Sequence, residues 1–433
     1  MMKNGPALNK SLNSKHMKSR KMKNRITKAV IATISLGLMF TPLVVSADQT
    51  EIQKKAEKLA HEYLIVDTHI DVPYRIEEEW EDVTKATAKG DFDYPRAMKG
   101  GLNVPFMSIY TPSSLEGPDG DGSKNYQVAN RLIDSVEALV TRAPDKFMLV
   151  RNTSEAEEAL KKGKIGLAMG MENGSPINNE LKNVQFFADR GISYITLAHG
   201  LSNHISDSSY DENRQWNGLS AFGMELVAEM NRVGVMVDVS HISDQAFYQV
   251  MDISKTPVIA SHSSPRHFTP GFERNMSDDM IKALAKKGGV IQINFGSAFV
   301  SGASNDWYDA FRAKRSAFMA ANSVEEDSDE VKKFSEEYLE TNPMRFATMD
   351  ELMANFQHVI DLVGPEYVGI GSDYDGVGDS LPEGMKDVSA FPALITEMLK
   401  REYTDEVIRG ILGGNVMRVW SQVEDYASKA KAK

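Results

Sequence analysis

The chain has no cysteine. That absence excludes disulfide staples, thiolate zinc sites and cysteine nucleophiles together. Stability must then come from the core and from any bound metal, which a large exported domain manages more readily than a small one. A basic stripe is missing too: 49 Lys and Arg stand against 61 Asp and Glu, for a formal charge of −12. Such a surface repels phosphate backbones, which argues against a nucleic-acid partner. The C-terminal SQVEDYASKAKAK has no apolar tail of the kind exchanged for a lipid anchor. No internal repeat, low-complexity tract or second-domain boundary interrupts a composition of 42% apolar and 25% charged residues. That is the composition of an ordinary globular protein.

Acids are absent from residues 1–47, which carry nine Lys or Arg between Lys3 and Lys28. An apolar run from Ala29 to Val45 follows, and then Val45-Ser46-Ala47. This basic, apolar, small-residue order predicts a secretory signal cleaved after Ala47. A retained anchor is the alternative, because the run is near the length at which spanning begins. Pro42 and the small residues at its end favour cleavage. The expected product is secreted or held in the cell envelope, has no stable membrane span, and has a formal charge of −21 once the nine basic residues are gone.

Eight short runs rich in Val, Ile, Leu and Met follow a lead-in helix at Ile52–Tyr63. They are Leu64–Ile70, Val104–Tyr110, Ile165–Met171, Ser193–Leu197, Val235–Ser240, Pro257–Ser261, Gly289–Asn294 and Tyr367–Ser372. Nearly continuous apolar character marks strands buried on both faces. Helical patterns separate most of them, so residues 48–433 are predicted to form a single (β/α)8 barrel of the TIM type, an α/β fold. Phe147–Val150 competes for strand status, and Arg75–Pro95 is irregular. The acidic cluster Glu77, Glu78, Glu79 reads as a solvated face. A polar stretch at 301–348, between strands seven and eight, is expected to be a helical insertion on the strand C-terminal side, where it could act as a lid.

The strand ends carry the chemistry. LIVDTHID places His69 and Asp71 two apart, on one side of a strand, with Asp67 below as support. GMENG ends a strand on Glu172, whose two carboxylate oxygens could bridge a pair of metal ions. VMVDVSHIS and PVIASHSS end successive strands on His241 and His262, a natural pair for a second ion. SYITLAHG ends on His199. GSDYDG ends the last strand on Asp373, beside the first strand in a closed barrel, where a carboxylate can take and return a proton. Asp375 is its rival, but lies two residues further out before a glycine turn. Each residue alone could be a packed histidine or a helix cap; five ligand types on strand ends together predict a metal-dependent hydrolase.

In these blocks the chain resembles the zinc-dependent membrane, or renal, dipeptidases and their secreted bacterial relatives. DTHID, GMENG, SYITLAHGLSN, DVSHIS, ASHSSPR, RNMSDD, GGVIQINF, GIGSDYDG and GGNVMRVW occur in the family's order over nearly all of the chain beyond the signal. The resemblance implies a dipeptide substrate and two zinc ions, one on His69 and Asp71, the other on His241 and His262, bridged by Glu172. It implies a catalytic set of Asp373 as acid–base, His199 polarising the scissile carbonyl, and Glu172. It gives Arg274 the substrate carboxylate, with Arg266 as competitor, since the intervening HSSPRHFTPGFE is poorly matched. Relatives often form homodimers, which the residues here neither demand nor exclude. Vertebrate relatives are membrane-anchored and disulfide-linked; this chain has no cysteine for the second device and is expected to lack the first.

Three other readings compete. A different barrel amidohydrolase, opening a cyclic amide or a β-lactam, would more typically begin with His-x-His and often use a lysine bridge. A glycosidase using Glu172 and Asp373 leaves the strand-end histidines unexplained. A non-catalytic secreted metal-binding protein leaves the acid–base residue without a role.

Overall fold

The computed structural model describes residues 42–431 apart from 326 and 327, so most of the expected export signal lies outside the described residues. A helix at Pro42–Glu62 leads into nine strands. These are β1 Ile65–Ile70, β2 Leu102–Tyr110, β3 Phe147–Leu149, β4 Ile165–Glu172, β5 Ile192–Thr196, β6 Met236–Asp238, β7 Ile259–Ala260, β8 Val290–Ile293 and β9 Val368–Ile370. All pairings are parallel, in the order β1-β2-β4-β5-β6-β7-β8-β9. The ring closes where Ile70 bridges Tyr374, with Asp373 N–H donating to the His69 carbonyl (3.1 Å) and Asp71 N–H to that of Tyr374 (2.9 Å). The eight predicted strands are the eight staves.

The ninth strand, β3, lies off the ring. β2 is in register with β4 only from Ala168 onward, which leaves the first half of β4 without a partner on that side. β3 supplies it, with Phe147 opposite Ile165 and Leu149 opposite Leu167. Buried backbone groups need such partners, so a short run that competed for a place in the barrel became its patch.

An apolar floor underlies the barrel mouth. Val66, Phe106, Ala168, Tyr194, Met236, Ile259 and Val290, drawn from seven strands, pack in one cluster with Val416, Val419, Trp420 and Val423 of the C-terminal helix Asn415–Lys431. The Phe106 and Trp420 rings lie 5.1 Å apart. A second, larger cluster fills the layer between strands and helices. Among the described residues no helix is long and apolar enough to cross a membrane.

The polar insertion forms two exposed helices, Gly302–Asn322 and Asp329–Thr341, joined by stacking of Phe318 on Phe334. Glu351 fastens both ends of the insertion. Its carboxylate accepts from Ser301 Oγ (2.7 Å) and Arg345 (2.8 Å), and completes a capping box with Thr348. In the irregular region, helices Val72–Glu78 and Tyr94–Gly100 flank a loop gathered by Arg75, which donates to Glu81 (2.7 Å) and the Phe92 carbonyl (3.0 Å). Glu77 to Glu79 are exposed, as expected.

That loop holds a paired-carboxylate contact. Asp91 N–H donates to Asp375 Oδ1 (2.6 Å) and Asp375 N–H to Asp91 Oδ2 (2.8 Å). Burial, and then the neighbouring Asp375 charge, push the Asp91 pKa up to about 7. The folded state therefore keeps a proton that the unfolded chain, with a carboxyl pKa of about 3.9, gives up. Stability from this group is full below about pH 4 and is lost as pH rises towards neutrality. Asp91→Asn retains an oxygen for Asp375 N–H without the charge. Its thermal midpoint should exceed the parent's near neutral pH, and the gap should close in acid; melting curves across that range would expose an equal offset at every pH.

Candidate metal centre

The candidate ligands arrive at the C-terminal ends of four staves, His69 and Asp71 both from β1, and parallel strands open all those ends on one face. The turns are short where position matters most. After β6 only Val239 to Ser243 intervene before the helix Asp244–Ile253, and Ser243 caps it by accepting from Ala246 N–H. His241 takes a left-handed φ of 68° to make that turn, and Asp373 one of 64°. Non-glycine residues resist this region, and such strain collects at functional sites.

Glu172 sits at the centre and is buried. Its Oε1 lies 3.0 Å from His241 Nε2 and 3.2 Å from His262 Nε2, and those two nitrogens are 2.9 Å apart. Its Oε2 lies 3.4 Å from His69 Nε2, which in turn is 3.3 Å from Asp71 Oδ2. Ligand atoms around a tetrahedral zinc ion, with bonds of about 2.0–2.1 Å, stand roughly 3.3 Å from one another. These five separations, 2.9–3.4 Å, lie near that spacing, and one carboxylate contributes an oxygen to each side. His69 Nε2 is buried without a hydrogen-bond partner. The donor set of imidazoles and carboxylates therefore fits a pair of borderline divalent ions.

The electrostatics ask for a cation at the same place. Burial opposes charge on His69, yet Tyr194 and the carboxylates of Glu172 and Asp71 outweigh it and hold the pKa well above the ordinary imidazole value. Burial drives His241 and His262 well below theirs, so both stay neutral, the form that binds metal. Glu172 is held ionised despite its burial, chiefly by His69 and then His199.

The tautomers are set from behind. Tyr194 Oη donates to the Thr68 carbonyl (2.9 Å), so its lone pair faces His69 Nδ1 (2.9 Å) and Nε2 is left free. Ser261 Oγ donates to Asp238 Oδ2 (2.7 Å) and faces His262 Nδ1 (2.8 Å) to the same effect. A Cβ at Gly170 would fall 1.9 Å from Tyr194 Cζ, so the glycine two residues before Glu172 makes room for the ring. Asp67, expected beneath the ligands, instead accepts backbone N–H groups of His69 (3.2 Å) and Ser372 (2.9 Å), tying β1 to β9.

A cavity of about 490 Å³ opens above, lined by Asp71, Glu172, His199, His241, His262, Arg274 and Asp373, with His69 buried beneath. His199 Nε2 is 3.6 Å from Glu172 Oε1, and burial lowers its pKa, so it is a neutral donor. Its backbone carbonyl is held by the Ser208 hydroxyl. Asp373 Oδ2 accepts from Asn294 Nδ2 (2.7 Å), and burial raises its pKa to about 7 with Asp71 and Glu172 adding. Arg274 is buried and donates to Ser263 Oγ (2.7 Å) and the His262 carbonyl (2.8 Å), with Nε left over.

Both rivals are committed elsewhere. Arg266 forks onto the Asp244 carboxylate and takes no part in lining the cavity. Asp375 reaches the wall, but its carboxylate pairs with Arg75 Nε at 3.1 Å. The insertion contributes Asn305, Tyr308 and Arg312 to the cavity. The residues that sequence patterning passed over are Tyr194, Ser261, Asp238, Asn294 and Gly376. A Cβ at Gly376 would meet Asp373 Oδ1 at 2.2 Å and Asp71 Oδ2 at 2.3 Å. The glycine after DYD was legible as a turn, not as a wall against two carboxylates.

Residues 53–433 match the family model described as membrane dipeptidase, peptidase family M19. An uncharacterized dipeptidase of Schizosaccharomyces pombe is 30% identical over 86% of this chain and 83% of its own length. Dipeptidase verJ of Clonostachys rogersoniana is 32% identical over 87% and 88%. Among solved structures, the probable dipeptidase PvdM from Pseudomonas aeruginosa superposes with a TM-score of 0.76 at 26% identity, covering 87% of this chain and 100% of that one. A Rhodobacter sphaeroides metallo peptidase, liganded with a phosphinate mimic of L-Ala-D-Ala, gives 0.69 at 21% identity, over 83% and 99%.

Two substitutions test the centre without touching a ligand. Tyr194→Phe removes the group that orients His69 and should weaken metal binding about 10–100-fold; competition against a chelator measures it. Gly376→Ala should displace Asp71 and Asp373, lowering both metal content and rate while far-ultraviolet dichroism stays unchanged. Normal metal affinity in Tyr194→Phe would mean that His69 is fixed by other contacts.

Proposed function

From the premise that this chain belongs to the membrane dipeptidase family and is a metal-dependent dipeptidase, we propose that it binds two zinc ions and cleaves dipeptides. His69 and Asp71 would hold one ion and His241 and His262 the other, with Glu172 contributing to both. The carrying observation is the division of Glu172, Oε1 to one pair of imidazoles and Oε2 to the other side. Bound zinc would supply Lewis acidity and lower the pKa of an attacking water.

The remaining steps belong to the side chains. Arg274 takes the substrate carboxylate, its guanidinium already oriented by Ser263 Oγ and the His262 carbonyl. His199, a neutral donor, faces the oxygen on which negative charge grows during attack at the carbonyl. Asp373 has a pKa near 7 and so can accept a proton from the attacking water and release it to the departing amine. Asn294 occupies Asp373 Oδ2, which leaves Oδ1 for that traffic. With both ends of the substrate engaged, the peptide bond is held in place for attack. The insertion wall at Asn305, Tyr308 and Arg312 limits length, so a longer peptide has no room for its extra residues. We further propose that residues 1–47 direct export, so that the enzyme works outside the cytoplasm on small peptides.

Purified protein should carry close to two zinc ions per chain and lose dipeptide cleavage on chelation, with recovery when zinc returns. Glu172→Gln should lose metal as well as rate. Asp373→Asn should keep its metal and lose rate by about 10²–10⁴-fold. Full zinc content in Glu172→Gln would remove the bridge from the mechanism.

A further inference from the structure

Away from the barrel mouth, one more set of metal-type donors comes together among the described residues: His267, Asp278 and His358. They stand on three separate elements. His267 lies in the turn Arg266–Phe268, Asp278 opens the helix Asp278–Lys286, and His358 projects from the helix Met349–Val363. One ligand atom from each lies within 4.8 Å of the others. His358 Nε2 is 2.8 Å from Asp278 Oδ1, and the imidazoles of His267 and His358 stack with centroids 4.4 Å apart and planes at 21°. The Phe268 ring lies edge-on to His358 at 5.6 Å and walls one side.

We propose that these three residues form a separate divalent-metal site of the zinc class. Two imidazoles and one carboxylate suit a borderline ion and leave a fourth position for water. Ligation needs a lone pair on His358 Nε2, so the neutral ring carries its hydrogen on Nδ1 when the ion is bound. The ligand atoms need only small rotamer adjustments, because His267 is exposed at the surface.

The place of the site in the chain gives it a role. His267 and Asp278 stand at the two ends of the loop that carries Phe272 and Arg274 into the cavity. That loop is closed on itself by Arg266 N–H to the Met276 carbonyl (2.7 Å) and Met276 N–H to that of Ser264 (2.9 Å). An ion here fastens both ends of the loop to the helix whose Glu351 grips the insertion. The site is a structural clip behind the substrate loop, and it does not depend on the assignment at the barrel mouth.

The test uses tag-free full-length protein equilibrated in zinc buffer, with metal per chain read by mass spectrometry. The parent should bind one equivalent more than His267→Ala, an exposed substitution that leaves the Asp278–His358 contact intact. His358→Ala should show the same deficit. Zinc added beyond the barrel-mouth ions should raise the parent's thermal midpoint but not that of His267→Ala. Glu172→Gln should retain this later rise, which separates the clip from the catalytic centre. Equal metal content and equal zinc response in the parent and both histidine variants would overturn the site.

Discussion

The structure depends on one buried carboxylate being shared between two groups of nitrogen and oxygen donors. Glu172 cannot be ionised in an apolar interior without compensating charge, and it is ionised because imidazoles crowd both of its oxygens. The surroundings serve that arrangement. Gly170 admits the Tyr194 ring, Tyr194 fixes His69, and Asp238 acts through Ser261 to fix His262. The floor beneath is apolar and closely packed, which gives these hydrogen-bonded groups a rigid base.

The left-handed turns at His241 and Asp373 belong to the same economy of position. A longer βα connection would relax the backbone but let the imidazole wander. A five-residue connection ending on a capping serine leaves His241 little freedom. Local strain is held by the cap, by the Ser209 N–H bond to the His241 carbonyl (2.7 Å), and by the burial of the neighbouring Val239 and Ile242.

Much of this was legible in the chain. Doubly buried parallel strands are continuous apolar runs, so all eight staves stood out, and barrel topology then brought their terminal histidines and acids to one face. Residues whose role depends on contacts across the barrel left no such mark. Tyr194 looked like one more strand aromatic, because its partners Thr68 and His69 lie more than a hundred positions away. Arg274 sits in a loop without periodicity, and only the resemblance to a family pointed to it. β3 competed for a place in the barrel because its apolar character is real; register alone, set by where β2 begins to pair with β4, excludes it from the ring.

The closing seam has a consequence for how the molecule is made. Ile70 near the start meets Tyr374 near the end, and the floor needs Trp420 from the last helix. No partial chain can shut this cylinder, so folding is deferred until synthesis is nearly finished and proceeds through contacts of large sequence separation. A polypeptide that stays open until its tail emerges remains threadable for as long as it is being made, and with no thiols to oxidise it needs no redox helper to mature.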